Sequence, residues 1–317
     1  MKIVFMGTAE FAVASLDAIY KEGHEIVAVV TAPDKPAGRG LQLKFSDVKQ
    51  YALTRNLPIL QPEKLKDTAF ISTLKDLHAD IFVVVAFRML PEEVFTIPEM
   101  GTFNVHASLL PNYRGAAPIH WAVMNGESKT GVTTFFLNKE IDKGDIIDFE
   151  EVEIGANETT GELYKRLMQV GATLAVKTID SIGKGVYMVT SQHEMENQNI
   201  RLAPKIFKQD TLIDWNNSAK EIFNKIRGLS PYPGAYTRIK TTDGNILDFK
   251  CFQVTVSDEK AIGKPGEFVT NGRSFIAVNA SDFRIYLENV QLQGKYRMEI
   301  CDFLRGFRSE KFILKLF

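Results

Sequence analysis

Cysteine is scarce: 317 residues hold only Cys251 and Cys301, 50 positions apart, and neither has a Cys-x-x-Cys partner. A disulfide scaffold is excluded, and a reducing, cytoplasmic setting is expected. The five histidines, His24, His78, His106, His120 and His193, are scattered without ligand spacing, so no metal site is expected. No window approaches the roughly 18 consecutive apolar residues of a membrane span. The N-terminal apolar run, Ile3-Val4-Phe5-Met6, is too short for the core of a signal peptide. Glycine is missing where a dinucleotide turn needs it. Met6-Gly7-Thr8-Ala9-Glu10 follows a strand but carries a single glycine, so no nicotinamide cofactor is expected. Internal repeats and low-complexity segments are absent as well.

What is present is ordinary for a globular enzyme, with 45% hydrophobic and 24% charged residues, and the length suits two domains. The net charge of −1 conceals an asymmetry. Residues 1–204 carry 20 Lys and Arg against 26 Asp and Glu, a net of −6, while residues 205–317 carry 18 against 13, a net of +5. A basic C-terminal part on an acidic body fits an anionic partner such as nucleic acid, although scatter in surface charge would look similar.

The first half alternates strand-like and helix-like runs. Lys2–Met6 and Glu25–Thr31 flank an amphipathic stretch, Phe11–Glu22, and Ile81–Ala86 is apolar throughout, as a strand buried on both faces must be. Thr102–His106 and Thr130–Leu137 continue the pattern, which predicts an α/β domain with an open, mostly parallel sheet. A helix over 160–182 closes this part. The polar stretch Ser191–Asn199 reads as a linker. After Pro204 comes one helix, 218–227, and then short strands at 8–12-residue spacing, which predict a small β-barrel. The expected boundaries are 1–189 for the first domain, 190–205 for the linker and 206–317 for the barrel.

The most informative stretch is Thr102-Phe103-Asn104-Val105-His106. In a strand, alternate side chains face opposite ways. Phe103 and Val105 then enter the core, while Asn104 and His106 stand together on the other face, near the strand's exit, where open α/β sheets bind ligands. An amide beside an imidazole can grip a carbonyl oxygen as negative charge develops on it. The same pair could also be a satisfied core histidine beside an asparagine. A candidate third member is Asp142, in the loop Glu140–Asp145 between two apolar strands. A carboxylate beside an imidazole orients it and favours its cationic form. Alone, Asp142 would read equally well as a solvated turn residue.

Together these segments resemble the 10-formyltetrahydrofolate-dependent formyltransferase family. Asn104-x-His106, Ser108-Leu109-Leu110-Pro111 immediately after, and Asp142, 36 residues beyond His106, form a specific pattern. Pro33–Gly40, Ser108–Pro118, Gly131–Thr134 with Ile141–Asp145, and Ile226–Gly234 extend the likeness over both halves, and place it nearest the branch acting on charged initiator methionyl-tRNA. The resemblance implies a Rossmann-like catalytic domain and an oligonucleotide-fold-like barrel that binds tRNA. It implies formyl transfer with Asn104, His106 and Asp142 as catalytic residues and 10-formyltetrahydrofolate as donor, leaving tetrahydrofolate. Ser108, Leu109, Leu110 and Pro111 would touch the folate. Lys35, Arg39 and Lys44, in the Gly- and Pro-rich stretch Ala32–Phe45, would approach the tRNA. A monomer with no membrane partner is expected. One departure stands out: Phe87-Arg88 occupies the position where the family commonly has Tyr-Gly, in a loop bordering the pterin pocket. Two other readings compete, an N-formyltransferase for nucleotide-linked amino sugars and a non-catalytic folate- or RNA-binding protein of the same fold. The cationic loop argues against the first, and the intact Asn/His/Asp set against the second.

Overall fold

Ile81–Val85 contains no polar residue, so neither of its faces can meet water, and all five side chains are buried. In the computed structural model, which describes residues 1–37, 42–195 and 199–317, this strand lies inside a seven-stranded sheet. Its strands are β1 Lys2–Gly7, β2 Glu25–Val30, β3 Ile59–Leu60, β4 Ile81–Val85, β5 Thr102–His106, β6 Lys129–Phe136 and β7 Ile146–Glu153, in the order β7-β6-β5-β4-β1-β2-β3. The run from β5 to β3 is parallel, and β6 and β7 add an antiparallel edge. This is the open, mostly parallel α/β sheet expected from the sequence.

Helix α1, Glu10–Lys21, buries Phe11, Ala12, Ser15, Leu16 and Ile19, one stripe at helical spacing. Two further helices were not expected from the hydrophobic pattern: α2, Asp47–Thr54, and α3, Thr68–Asp76. Side-chain caps start them. Ser46 accepts from the Lys49 N–H, and Asp67 from that of Phe70. The single turn α4, Glu92–Phe95, follows the loop after β4. On one face of the sheet Val4, Met6, Val30, Phe82 and Val84 pack with Phe70, Leu74, Leu90 and Val94.

The chain divides into two compact units, one of Met1–Gly115, Lys129–Glu153 and Lys165–Leu202, the other of Ala116–Ser128, Ile154–Tyr164 and Ala203–Phe317. The sequence boundaries at 189 and 206 differ from this grouping, for identifiable reasons. Helix α5, Pro118–Met124, packs on a helix of the second unit, Ala219–Leu229, so closely that a Cβ on Gly228 would stand 2.4 Å from the Met124 side chain. Within the same unit Arg227 donates to the carbonyls of Gly155 and Glu158, and Thr160 to that of Gly228. Helix α6, Thr160–Gly183, therefore begins in one unit and ends in the other. Most of the expected linker belongs to the first unit. Thr190 pairs with Ile146 of β7, and Gln192, at the start of the short helix α7 Gln192–Met195, is only 1% exposed.

In the second unit, α8 (Ala219–Leu229) starts on a capping box of Ser218 and Glu221. The strands β8 Ala235–Thr241, β9 Ile246–Lys260, β10 Phe268–Thr270, β11 Ile276–Asn279, β12 Phe283–Leu292 and β13 Phe312–Leu316 form an antiparallel sheet in the order β10-β11-β12-β9-β8-β13. A bridge between Glu267 and Lys315, with the Leu316 N–H donating to Gly266, joins its two ends and curls it toward a barrel. Trp215, Ile222, Ile226, Phe249, Leu287 and Phe303 fill its core. Helix α9, Ile300–Gly306, and strand β13 were not expected from the sequence pattern. Among the described residues no helix is long and apolar enough to cross a membrane.

Candidate active site

Strand β5 lies between parallel β4 and antiparallel β6, with Asn104 opposite Val84 and Phe135 and His106 opposite Thr133. Phe103 and Val105 are buried as the alternation requires. Asn104 is half-buried and His106 is 7% exposed. His106 Nε2 stands 2.9 Å from the carbonyl oxygen of Tyr113. A carbonyl only accepts, so Nε2 carries the hydrogen and donates it, which fixes the tautomer of the neutral ring. Nδ1 is thereby turned to the other side, where Asp142 Oδ2 lies 4.0 Å away. Phe135 meets the imidazole edge-on, with 6.5 Å between ring centroids.

Asp142 sits in the left-handed region, φ 55, inside the loop joining β6 to β7. The Gly115 N–H donates to its Oδ2 at 2.9 Å. The loop is tightly seated on β6, because a Cβ on Gly144 would fall 1.6 Å from the Phe136 carbonyl oxygen. Asn104, His106 and Asp142, far apart in sequence, are thus brought to one end of the sheet.

The Ser108–Pro111 turn is placed beside them, but its side chains are mostly occupied. Ser108 is fully buried and donates to the Asn112 carbonyl at 2.7 Å. Thr133 donates to the Ser108 carbonyl and accepts from the Leu110 N–H, and Leu110 packs against Phe135 and Ile146. Pro111 is buried as well. Only Leu109, half-buried over Gly131, presents apolar surface. The turn therefore offers a ligand its backbone and one leucine rather than a row of apolar side chains.

A cavity of about 410 Å³ opens at the loop after β4, lined by Met89, Leu90 and Pro91 together with Leu65, Phe95 and Lys139. Arg88 is not among the residues lining it and serves as a strut. Its guanidinium donates to the carbonyls of Pro62 and Glu63, tying this loop to the one after β3.

Of the expected tRNA contacts, Lys35 and Lys44 are exposed and face each other across a small hairpin, Lys35–Ala37 with Gln42–Lys44. Arg39 lies outside the described residues. The base of this hairpin is clamped. Lys49 holds Asp34 at 2.5 Å and Gln61 at 2.8 Å, and Gln61 donates to the Ala32 carbonyl. Asp34 is held below the usual carboxylate range by its bonds to Lys49 and Gln61.

Sequence reasoning missed Tyr113, Arg114 and Gln192. The first two stand inside the Ser108–Pro118 stretch, which could have marked them. Gln192 has no signal at all in its polar surroundings. It accepts from Arg114 at 3.0 and 2.8 Å and donates to the carbonyls of Asp142 and Gly144 at 3.0 and 2.7 Å. Among the described residues no group of three His, Cys, Asp or Glu is placed to hold a metal ion.

This geometry can be set beside known proteins. The family model described as formyl transferase matches residues 1–179, and that of the formyl transferase C-terminal domain matches residues 205–308. The methionyl-tRNA formyltransferase of Azobacteroides pseudotrichonymphae is 50% identical over 309 residues, 96% of this chain and 95% of that protein. That of Parabacteroides distasonis is 48% identical over 312 residues, covering 98% and 96%. Among solved structures, a sugar 3N-formyl transferase crystallised with dTDP and 5-N-formyl-THF superposes with a TM-score of 0.64 at 22% identity, covering 93% of this chain and 99% of that one. HypX from Aquifex aeolicus, in complex with tetrahydrofolic acid, gives 0.63 at 17% identity, covering 96% and 48%. At those identities the structural likeness establishes the fold.

Proposed function

The chain belongs to the methionyl-tRNA formyltransferase family, and we propose that Asn104, His106 and Asp142 carry its chemistry. The enzyme transfers a formyl group from 10-formyltetrahydrofolate to the free α-amino group of methionine on initiator tRNA, giving N-formylmethionyl-tRNA. The attacking amine must be neutral, and an α-amino group with a pKa of about 7.7–8.0 is partly so near neutrality. Its attack on the formyl carbon makes a tetrahedral adduct whose oxygen becomes an anion. Asn104 donates to that oxygen from its amide. His106 has its Nε2–H engaged with Tyr113, so it can donate only from Nδ1, as the imidazolium. Asp142 supplies the counter-charge from 4.0 Å. As the adduct collapses, the C–N10 bond breaks. The amine's surplus proton passes by way of Asp142, through a water, to N10, and tetrahydrofolate departs.

The observation that carries this reading is the opposed engagement of the two nitrogens of His106, one bonded to Tyr113 and the other turned to Asp142. The folate takes the cavity beside Met89 and Leu90, with the Ser108–Pro111 backbone and Leu109 at its formyl end. Lys35, Arg39 and Lys44 approach the acceptor end of the tRNA, and the basic C-terminal unit adds phosphate attraction. The protein acts as a monomer in the cytoplasm.

Formyl transfer to charged initiator tRNA, measured on variants shown to be folded, tests the assignment. Asn104→Ala and His106→Ala should each lower kcat by at least about 10²-fold. His106→Ala also removes one hydrogen bond to the buried Tyr113 carbonyl and should lower stability by about 1 kcal/mol. If either variant kept more than a third of the wild-type kcat, that residue's role would be wrong.

A further inference from the structure

Three consecutive residues connect everything around His106. The carbonyl of Tyr113 accepts from the imidazole, the side chain of Arg114 reaches Gln192, and the N–H of Gly115 donates to the Asp142 carboxylate. Gln192 completes a ring. Its carbonyl oxygen accepts from both Nε and Nη2 of Arg114, and its amide nitrogen donates to the main-chain carbonyls of Asp142 and Gly144. A primary amide has two N–H donors and two acceptor positions. All four are used here, in a side chain that is 1% exposed. The path runs from the Asp142 carboxylate to Gly115, through Arg114 to Gln192, and back to the Asp142 main chain.

That closure matters because Asp142 holds a left-handed backbone, φ 55, a conformation less favourable than the right-handed one even for Asp, which tolerates it better than most residues, and the ring keeps it there. Gly115 fixes the carboxylate and Gln192 fixes the peptide that carries it. Remove either and the distance from Asp142 to His106 Nδ1 is free to change. Among the described residues, the charged groups bonded into or beside the ring include His106, Arg114 and Asp142 itself. On the outer side of the loop Lys143 pairs with Glu140 at 2.6 Å.

We infer that Gln192, from the short helix α7, is a positioning residue for formyl transfer, holding the Asp142 carboxylate in register with His106. This rests on the catalytic reading of Asp142 given above, and goes beyond it by naming what sets that carboxylate's place. A carboxamide is required, because a carboxylate cannot donate to two carbonyls.

Gln192→Glu is the discriminating change, since it is isosteric and retains acceptors for Arg114 while removing both donations to the loop. Formylation of charged initiator tRNA is measured across pH in wild type, Gln192→Glu, Asp142→Asn and the double variant, with thermal unfolding and binding of tetrahydrofolate followed in parallel. Gln192→Glu should lower kcat by about tenfold or more, since an ångström of misplacement is enough for that. It should displace the pH–rate profile and leave tetrahydrofolate affinity within about threefold of wild type. Added to Asp142→Asn it should cause little further loss, because both act through one carboxylate. A wild-type kcat and profile in Gln192→Glu would overturn the inference, as would a lower melting temperature with the profile unmoved, which marks a merely structural glutamine. If Asp142→Asn were silent as well, the catalytic reading itself would fall. If only Gln192→Glu were silent, that reading would survive without this addition.

Discussion

His106 comes to the reaction with one of its two nitrogens already committed to Tyr113. The neutral ring therefore presents a lone pair toward Asp142, and only the protonated ring presents a hydrogen. Asp142→Asn keeps the shape but removes the counter-charge beside Nδ1, so kcat should fall by about tenfold or more while tetrahydrofolate affinity stays near wild type, read from formylation kinetics and ligand binding on the folded variant. An unchanged kcat would reduce Asp142 to a loop-shaping role. Asn104 and His106 were legible in the sequence, because a period-2 strand places alternate residues on one side. The partner of Nε2 was not, since a backbone carbonyl is available from any residue and is selected only by the path of the chain.

The loop from β6 to β7 is the element on which the site depends most. It has little freedom, because a Cβ on Gly144 would overlap the Phe136 carbonyl at 1.6 Å, and backbone cannot give way as a side chain can. Gly144→Ala should displace the loop and carry Asp142 with it, lowering stability by about 1–3 kcal/mol and kcat by about tenfold or more. Gly306→Ala, where a Cβ meets nothing within 4 Å, is the control and should preserve activity. Denaturant unfolding together with formylation kinetics checks both. The strands β1, β2, β4, β5 and β6 were legible because long apolar or alternating runs have few other ways to bury themselves. Helices α2 and α3 were not. Each buries only two residues, Val48 and Ala52 in one, Phe70 and Leu74 in the other, so their apolar stripes are too short to register.

At the scale of the whole molecule the charge is divided, with the C-terminal part at +5 and the rest at −6. Binding to a polyanion should follow that division. Affinity for charged initiator tRNA should fall steeply between roughly 50 and 200 mM salt as phosphate contacts release counterions. Arg39→Ala should chiefly lower kcat/KM for the tRNA and hardly alter affinity for 10-formyltetrahydrofolate, because Arg39, between Gly38 and Gly40, lies far in sequence from β5 and its Asn104 and His106. A salt titration of tRNA binding with the variant alongside decides it. A flat response, with Arg39→Ala matching wild type, would remove the case for these contacts.

The sequence by itself determined the class of fold, the alternation that pairs Asn104 with His106, and the family to which the Asn/His/Asp pattern points. These rest on local periodicity and on residue types in fixed order, which a string of letters carries in full. Tertiary structure alone decided that residues 190–195 group with the first unit, that Ala116–Ser128 and Ile154–Tyr164 group with the second, and that Gln192 reaches the Asp142 loop. Each of those rests on groups far apart in sequence, brought together by backbone carbonyls, buried polar pairs and close side-chain packing. Such contacts exist only once the chain has folded and water has been excluded from between them.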